Sequence, residues 1–489
     1  CACPIPPVPG CSEGSDPCWP GGRSLDLGKL DNTLIIYQNG DNGTSAEGAP
    51  KGTFSEVAFF NGVQPPVDVQ MKYYEAWGTE YAYNPMSAGW SWAFDTPFDW
   101  FKQNASRFGG TNQNMVVSWP ARIKDKGALR EQFIHDIDVV PTLLEVTGIP
   151  APATVDGIRQ KPIEGTSFAY TFDAENAKAP SRHHTQYFEM MGQWALYHDG
   201  WLLSTKPDRV PWDAFSPANP DPLNNQVFQL YDLSKSWNQS EDIAAQHPDK
   251  VKEMRKMFVE EAEKYQVFPL DASVGARVAA ARPSLTAGLN ELVYTRPMTG
   301  VPQGDAPYLL DTSYSLTADI TVPEGGAEGM IATSGGRFAG WGFYLLKGKP
   351  VFCWNLLDLE WVKWEAPEAL APGQHTIEFD FKYDGLGTGT MAYNFSGIGK
   401  GGTGTLKVDG KVVETKRMEK TIPIILQWDE SFDIGQDTIT GVNDADYLPP
   451  FPLTAKFNKL TIRIDRPQLS PEDIKKLEEG MKKAAMGIQ

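Results

Sequence analysis

Leu30-Asp31-Asn32-Thr33-Leu34-Ile35-Ile36-Tyr37-Gln38-Asn39-Gly40-Asp41-Asn42-Gly43-Thr44-Ser45-Ala46-Glu47-Gly48 is the stretch that decides the reading of this chain. Leu34 to Tyr37 is a continuous apolar, β-prone run, the pattern expected of a buried strand in a parallel sheet. Its far end turns polar at Asp41, Asn42, Thr44 and Ser45. In open α/β folds ligands gather beyond the carboxyl ends of strands. Asp41 and Asn42 supply oxygen donors at such an end, beside glycines that let the backbone bend, so a hard-cation site is one reading. An ordinary Asp-Asn-Gly turn is the other.

Outward from this stretch, the 489 residues suffice for two or three domains with a large core. Lys and Arg number 44 against 62 Asp and Glu, a net charge of -18 with a pI near 4.9. That field opposes nucleic acid or an anionic membrane surface as a partner, and an anionic substrate needs a local positive site. No run approaches the roughly 18 apolar residues of a membrane span. The chain opens on Cys1 and shows no signal peptide, the expectation for a mature or truncated product. Cys1, Cys3, Cys11 and Cys18 crowd the Pro/Gly-rich lead while Cys353 stands apart. Their spacing is not a zinc pattern, and two local disulfides would imply an oxidising compartment.

Downstream of the turn, Ala49 to Pro97 is rich in aromatics and reads either as a lid or pocket wall or as a satellite core. Lys102 precedes the Gly109-Gly110 bend and the strand-like run Met115 to Pro120. A lysine there is a point charge suited to an oxyanion, or simply a solvated side chain. Phe133 to Val146 carries helical spacing, with Ile134, Ile137, Val140 and Leu144 on one face, Pro141 near its opening and Gly148 closing it. His135 near its start reads as a capping or packing residue. His184 to Met190 and Trp194 to His198 read as a hairpin turning near Gly192, followed by Trp201 to Leu203 and Gln229 to Leu233. Glu241 to Tyr265 is an amphipathic helix.

From Tyr314 the periodicity changes to two, in Tyr314 to Val322, Thr376 to Phe381 and Leu460 to Ile464. Asp409-Gly410 is a hairpin signal, and the whole reads as an antiparallel β-sandwich. Trp341, Trp354, Trp361 and Trp364 are candidates for stacking on sugars, with core packing as the alternative. Ser470-Pro471-Glu472 opens a terminal helix whose lysines form a solvated face.

Several of these stretches resemble the sulfatase family, and its bacterial arylsulfatase branch most. They are Asp31 to Tyr37 with Gly40 to Gly43 and Ala46 to Gly48, Thr96 to Phe98 with Lys102-Gln103, Phe108 to Thr111 and Val117 to Arg122. Asp138 to Glu145, Gln160 to Gly165, Thr185 to Met190 and Tyr197 to Trp201 follow in the same order. The resemblance implies an α/β fold: the second half of an alkaline-phosphatase-like sulfatase sheet domain, then an antiparallel β-sandwich of concanavalin or laminin-G type and a C-terminal helix. The expected divisions are an irregular lead over 1–22, the sulfatase part over 23–282, the sandwich over 283–467 and the helix over 468–489. It further implies hydrolysis of sulfate esters, Ca²⁺ held by Asp41 and Asn42, and Lys102 on the sulfate group. A cation and a lysine together can offset charge building on transferring oxygens.

The family's formylglycine pattern, Cys-x-Pro-x-Arg, is not in this chain; Cys18-Trp19-Pro20-Gly21-Gly22-Arg23 has one residue too many and lies directly before the Leu34 strand. Arginines that the branch often places at Asn112 and Trp194 are also missing. Calcium takes six to eight oxygens, and Asp41 with Asn42 supplies two or three. The expectation is therefore a sulfatase portion inactive without an N-terminal half, which would be a separate chain, a cleaved piece or a lost exon. The alternatives are a non-catalytic relative that binds sulfated glycans or a protein through its sandwich, and a product that folds poorly. Expected partners are a sulfate ester or sulfated glycan, and the expected location is periplasmic or secreted. Asn104, Asn238 and Asn394 begin triplets that accept glycans if the source is eukaryotic; Asn42 begins another, which a metal ligand could not use.

Overall fold

The computed structural model describes residues 27–40, 42–213, 218–273, 283–384, 399–465, 470–472 and 475. Asp41, the cysteine-rich lead, Asn394 and most of the expected terminal helix lie outside the described residues. The chain divides into two compact units, one of residues 1–44, 92–208 and 219–272, the other of 45–91, 209–218 and 273–489.

In the first unit, β1 (Ile35–Gln38) pairs with β2 (Met115–Ser118). The pairing is antiparallel, with Ile36 opposite Val117 and Tyr37 opposite Val116. This corrects the expectation of a buried strand in a parallel sheet. A parallel neighbour requires a crossover that carries the chain back to the strand's starting end. Here the chain returns at the end where β1 finishes, and Asn39 N–H bonds the Asn114 carbonyl to close the pair. Alternation then sends Leu34, Ile36, Met115 and Val117 onto a cluster with Phe168 and Phe172. Tyr37 and Val116 point the other way, into solvent.

β3 (Thr154–Val155) and β4 (Ile158–Arg159) make a small exposed hairpin. β5 (Thr185–Met190), β6 (Gln193–His198), β7 (Trp201–Thr205) and β8 (Phe228–Asp232) form an antiparallel four-stranded meander, as the turn signals indicate. Its β6 is buried along most of its length, and Trp194 stacks on Phe258 at 3.8 Å between ring centroids.

Among the described residues, three α-helices lie wholly within this unit. α1 (Phe108–Thr111) is a single turn. α2 (Val139–Thr147) ends on Gly148 in the left-handed conformation, the C-terminal stop that glycine accepts without strain. α3 (Pro248–Lys264) starts later than the sequence pattern suggests, because Pro248 fits the first helical position and ends the preceding 3₁₀ turn. The inner face of α2 also differs from expectation. Val139 and Val146 pack on the cluster, as does Ile134 ahead of the helix in line with expectation, and Thr142 is buried, whereas Ile137 and Val140, expected on that face, are exposed. Thr142 is buried because its hydroxyl donates to the Asp138 carbonyl and accepts from Phe168 N–H.

The second unit is built on two six-stranded antiparallel sheets. One runs β10 (Met298–Pro302), β19 (Ser431–Ile434), β12 (Gly329–Gly336), β13 (Ala339–Leu346), β14 (Lys349–Leu356), β15 (Glu360–Glu365). The other runs β18 (Lys411–Thr421), β17 (Gly399–Val408), β16 (Gly373–Tyr383), β11 (Ser313–Val322), β20 (Lys456–Asp465), β9 (Glu291–Tyr294). Their inner residues share one hydrophobic cluster, in which Phe352 of β14 stacks on Phe379 of β16 at 3.7 Å. Trp341, Trp354 and Trp364 are buried in it, so of the four tryptophans considered for sugar stacking only Trp361 is exposed. The aromatic segment 45–91 belongs to this unit, with Val57 and Ala58 in the same cluster and Tyr73 stacked on Phe54.

Candidate functional site

The site is assembled at the end of the ribbon where β1 finishes and β2 begins. Gly43 N–H donates to the Gly110 carbonyl at 3.1 Å, and Lys102 N–H donates to the Thr44 carbonyl at 3.2 Å. Two segments far apart in sequence are thus fastened backbone to backbone, with Asn42 on one and Lys102 on the other. The contact requires glycine. A Cβ on Gly43 would strike the Gly109 carbonyl, and one on Gly109 would strike the backbone of Asp99 and Trp100. Thr44 is held in turn by Asp95, accepting at 2.6 Å from its hydroxyl and 3.2 Å from its N–H. Burial pushes the Asp95 carboxyl up, against those two hydrogen bonds.

Lys102 lies in a loop whose backbone is unusual on both sides, since Trp100 and Gln103 have φ of 67° and 79°. Left-handed non-glycine residues are uncommon and persist where the surroundings hold them. Here the holding comes from the meander and from the segment that follows β8. Asn104 Nδ2 donates to Gln193 Oε1 at 2.9 Å. Arg107 donates to the Tyr231 hydroxyl at 2.7 Å and to Gln229 Oε1 at 2.9 Å. Phe108 N–H donates to Gln239 Oε1 at 2.7 Å. Asn104 is buried in that network, so its acceptor triplet cannot carry a glycan in this fold. Trp194, at a position where arginine was looked for, is a core residue.

Asn42 and Lys102 line one cavity of about 2740 Å³, with Gln113, His135, His183 and Phe188 among its other walls. Two of these were not singled out from the sequence as a pair. His183 Nδ1 lies 2.8 and 2.9 Å from the two oxygens of buried Asp138, and its Nε2 lies 3.1 Å from the Thr185 carbonyl. Both ring nitrogens face acceptors, the arrangement of an imidazolium. Burial opposes that charge, yet the hydrogen bond and charge of Asp138 outweigh it and hold the His183 pKa above its ordinary value. Burial likewise opposes ionised Asp138, but His183 and the N–H groups of His135 and Thr166 hold it below the usual carboxylate range. His135 caps the turn into α2, its Nδ1 accepting from Ile137 N–H. Burial, with the neighbouring His183 charge adding to it, pushes the His135 pKa down against Asp136 and Asp138.

Among the described residues no three His, Cys, Asp or Glu side chains are grouped so as to hold a metal ion. Asn42 is the described member of the expected calcium pair. A single amide oxygen falls far short of six to eight ligands, so the described residues do not make a calcium centre by themselves.

Part of the chain is similar to known proteins. Residues 23–149 match the family model described as Sulfatase. The matched span contains β1, β2, α2, Asn42 and Lys102. A curated relative, an uncharacterized sulfatase of Schizosaccharomyces pombe, is 26% identical over 271 residues, covering 54% of this chain and 44% of its own length. This chain therefore spans less than half of that relative. A solved structure from work on glycosaminoglycan metabolism by Bacteroides thetaiotaomicron is 19% identical, covering 50% of this chain and 42% of its own, with a TM-score of 0.31. Another, holding its substrate D-glucosamine-2-N,6-O-disulfate, is 14% identical, covering 51% and 37%, with a TM-score of 0.28. Residues 23–149 are thus similar to the sulfatase family, and they lie among α-helices and antiparallel sheets.

Proposed function

We propose that this chain is the portion of an arylsulfatase-type sulfuric ester hydrolase that grips the sulfate group, and that it turns over substrate only when joined by a portion bearing the nucleophile. The observation that carries this reading is the backbone junction that brings Lys102 and Asn42 to one cavity, inside the span matching the sulfatase family. A lysine carried on a braced loop at the cavity wall can bring its ammonium to a sulfate oxygen and neutralise charge there. The sequence has no Cys-x-Pro-x-Arg pattern, so the attacking group must come from elsewhere. Asp41 and Asn42 would contribute to a Ca²⁺ site whose remaining oxygens come from the same source. The substrate class is a sulfate ester, small or borne on a glycan, and the clustered cysteines favour a periplasmic or secreted setting.

The test is hydrolysis of p-nitrocatechol sulfate by the chain alone and by the chain mixed with the part of the yeast relative that it does not match. The expected result is no turnover alone, turnover in the mixture, and loss of that turnover in Lys102→Ala. Turnover at a normal enzymatic rate by the chain alone would overturn the reading. The competing role, glycan binding by the second unit, has less support: burial of Trp341, Trp354 and Trp364 removes most of its stacking surface.

A further inference from the structure

We infer that water is sealed between the Lys102 loop and the meander, bridging Asn104 to Gln193 and reaching Ser106, Arg107 and Asp99, and that these are positioning residues that act on Lys102 through it. The positioning role rests on the preceding reading of Lys102. The water site does not.

The loop packs on the meander with almost no solvent between them. Asn104, Ser106, Arg107 and Gln193 are 1%, 1%, 6% and 1% exposed. Their polar groups are nevertheless only partly satisfied. Asn104 Oδ1, Gln193 Nε2, Ser106 Oγ, Arg107 Nε and Asp99 Oδ1 are shielded from solvent and have no hydrogen-bond partner among the described residues. Buried polar atoms without a partner are rare in folded chains, since the bond to bulk water is lost and nothing replaces it. Five of the eleven found among the described residues fall in this one contact, so the contact itself needs an occupant.

The mixture of donors and acceptors identifies that occupant. Gln193 Nε2 and Arg107 Nε donate, Asn104 Oδ1 and Asp99 Oδ1 accept, and Ser106 Oγ does either. Exchanging the oxygen and nitrogen of both amides preserves the balance, one donor and one acceptor. An anion would leave the two oxygens facing it unanswered, and a cation would do the same to the two nitrogens. Water answers both kinds. A buried water makes about three hydrogen bonds, so five atoms call for more than one.

The place of this water gives it a consequence. Lys102 sits between Trp100 and Gln103, both at positive φ, and Asn104 and Arg107 carry the side chains that tie the loop to the meander. On its other side the loop is stopped by Gly110, where a Cβ would come within 2.4 Å of the Asn104 carbonyl. The loop is thus clamped between a glycine and a hydrated polar seat, which fixes where the lysine leaves the backbone.

The experiment begins with a crystal structure of the full chain at a resolution that shows water, and a second crystal grown in sodium bromide. Both should show ordered water within about 3.2 Å of the Asn104 and Gln193 amides, with no anomalous peak from bromide there. A dry contact with the two amides turned onto each other, or a bromide peak, would overturn the inference. Lys102 is then read by acetylation with acetic anhydride and mass spectrometry, in sodium sulfate against sodium chloride of equal ionic strength. Sulfate should protect Lys102. Gln193→Met keeps the side chain's length without its amide, and should raise the sulfate needed about fivefold, the worth of one hydrogen bond. Ser106→Ala, a milder change at the same contact, should move it the same way. Trp194→Phe, one residue further on and stacked on Phe258 of α3, should leave it unchanged while lowering the thermal midpoint. Equal shifts in all three variants would overturn the positioning role. Ordered water without sulfate protection of Lys102 would sink the sulfate-gripping reading and leave the water site standing. Protection without ordered water would do the reverse.

Discussion

Phe352 lies flat on Phe379 between two six-stranded sheets, while in the other unit Tyr37 and Val116 stand side by side in solvent. Both pairs are apolar residues on strands, the first meeting across two facing sheets and the second side by side within one. In the second unit, facing sheets give each inner residue a partner layer, and one continuous cluster results. In the first, apolar residues are split among separate clusters around Trp194, Phe168 and Tyr197. Polar fastening does much of the positioning there, through Asp138, Arg107 and Gln239. The difference is one of packing: the second unit closes one continuous core, whereas the first is held by buried polar pairs around an open cavity.

The largest expected effect tests the closed side of this contrast. Phe379→Ala removes a ring stacked on Phe352 and in edge contact with Trp364, and should cost about 3–5 kcal/mol by urea denaturation of the full chain. Val116→Ala, the matching truncation on the ribbon, should stay within about 0.5 kcal/mol. Equal losses at the two positions would erase the contrast.

A smaller effect tests the polar fastening. Asp138→Asn keeps the shape but removes the charge that His183 faces, and should cost about 1.5–3 kcal/mol. The pH dependence has a definite sign. His183 is raised in the folded chain, so its contribution is complete below about 6.5 and is lost as pH climbs through the raised value. Asp138 is lowered, so its contribution is complete above about 3.9 and is lost as pH drops through the depressed value. The deficit of Asp138→Asn should therefore be greatest between about pH 4 and 6.5 and shrink on either side. A deficit constant with pH would mean that Asp138 serves only as a neutral acceptor.

The same contrast explains what could be read from the sequence. β11 alternates between buried and half-buried residues along its whole length, so period-two hydropathy found it. Asp409 and Gly410 both take positive φ, as an Asp-Gly hairpin turn demands. In the first unit the Leu34 to Tyr37 run was legible as a strand, but its direction relative to a neighbour was not. That is set by where β2 arrives, which no local pattern encodes. α2 is apolar on both sides, so periodicity could not choose the inner face, and Thr142 lies inside for a hydrogen-bonding reason that hydropathy scores as a penalty. Asn42 and Lys102 were legible as a possible cation ligand and a possible oxyanion charge, each beside a blander reading, and resemblance gave them a shared role. Their shared cavity depends on Gly43 fitting against Gly109, a contact across 66 positions (109 minus 43) that neither glycine announces. His183 and Asp138 are likewise joined only by the fold.

The smallest effect at low pH, and the most diagnostic across pH, is at Asp311 in the second unit. Its side chain is buried, one oxygen accepts from the Tyr383 hydroxyl at 3.0 Å, and the other has no hydrogen-bond partner. Burial pushes its pKa up to about 7, against the hydrogen bonds from Tyr383 and Thr421. Between about 3.9 and that value the folded chain holds a proton that the unfolded chain has released. Stability from this group therefore falls as pH rises through the window, opposite to the behaviour of Asp138 on its acid side. Asp311→Asn keeps an acceptor for Tyr383, places a neutral group where the lone oxygen was, and suits the positive φ of 51° that Asn tolerates. It should change the urea midpoint little at pH 5 and raise it at pH 8.5, flattening the profile of the closed unit while the His183–Asp138 profile of the open unit stays as it was. A lowered midpoint at pH 8.5 would show that Asp311 is ionised and needed as such, and that the core beside it is wetter than its burial implies.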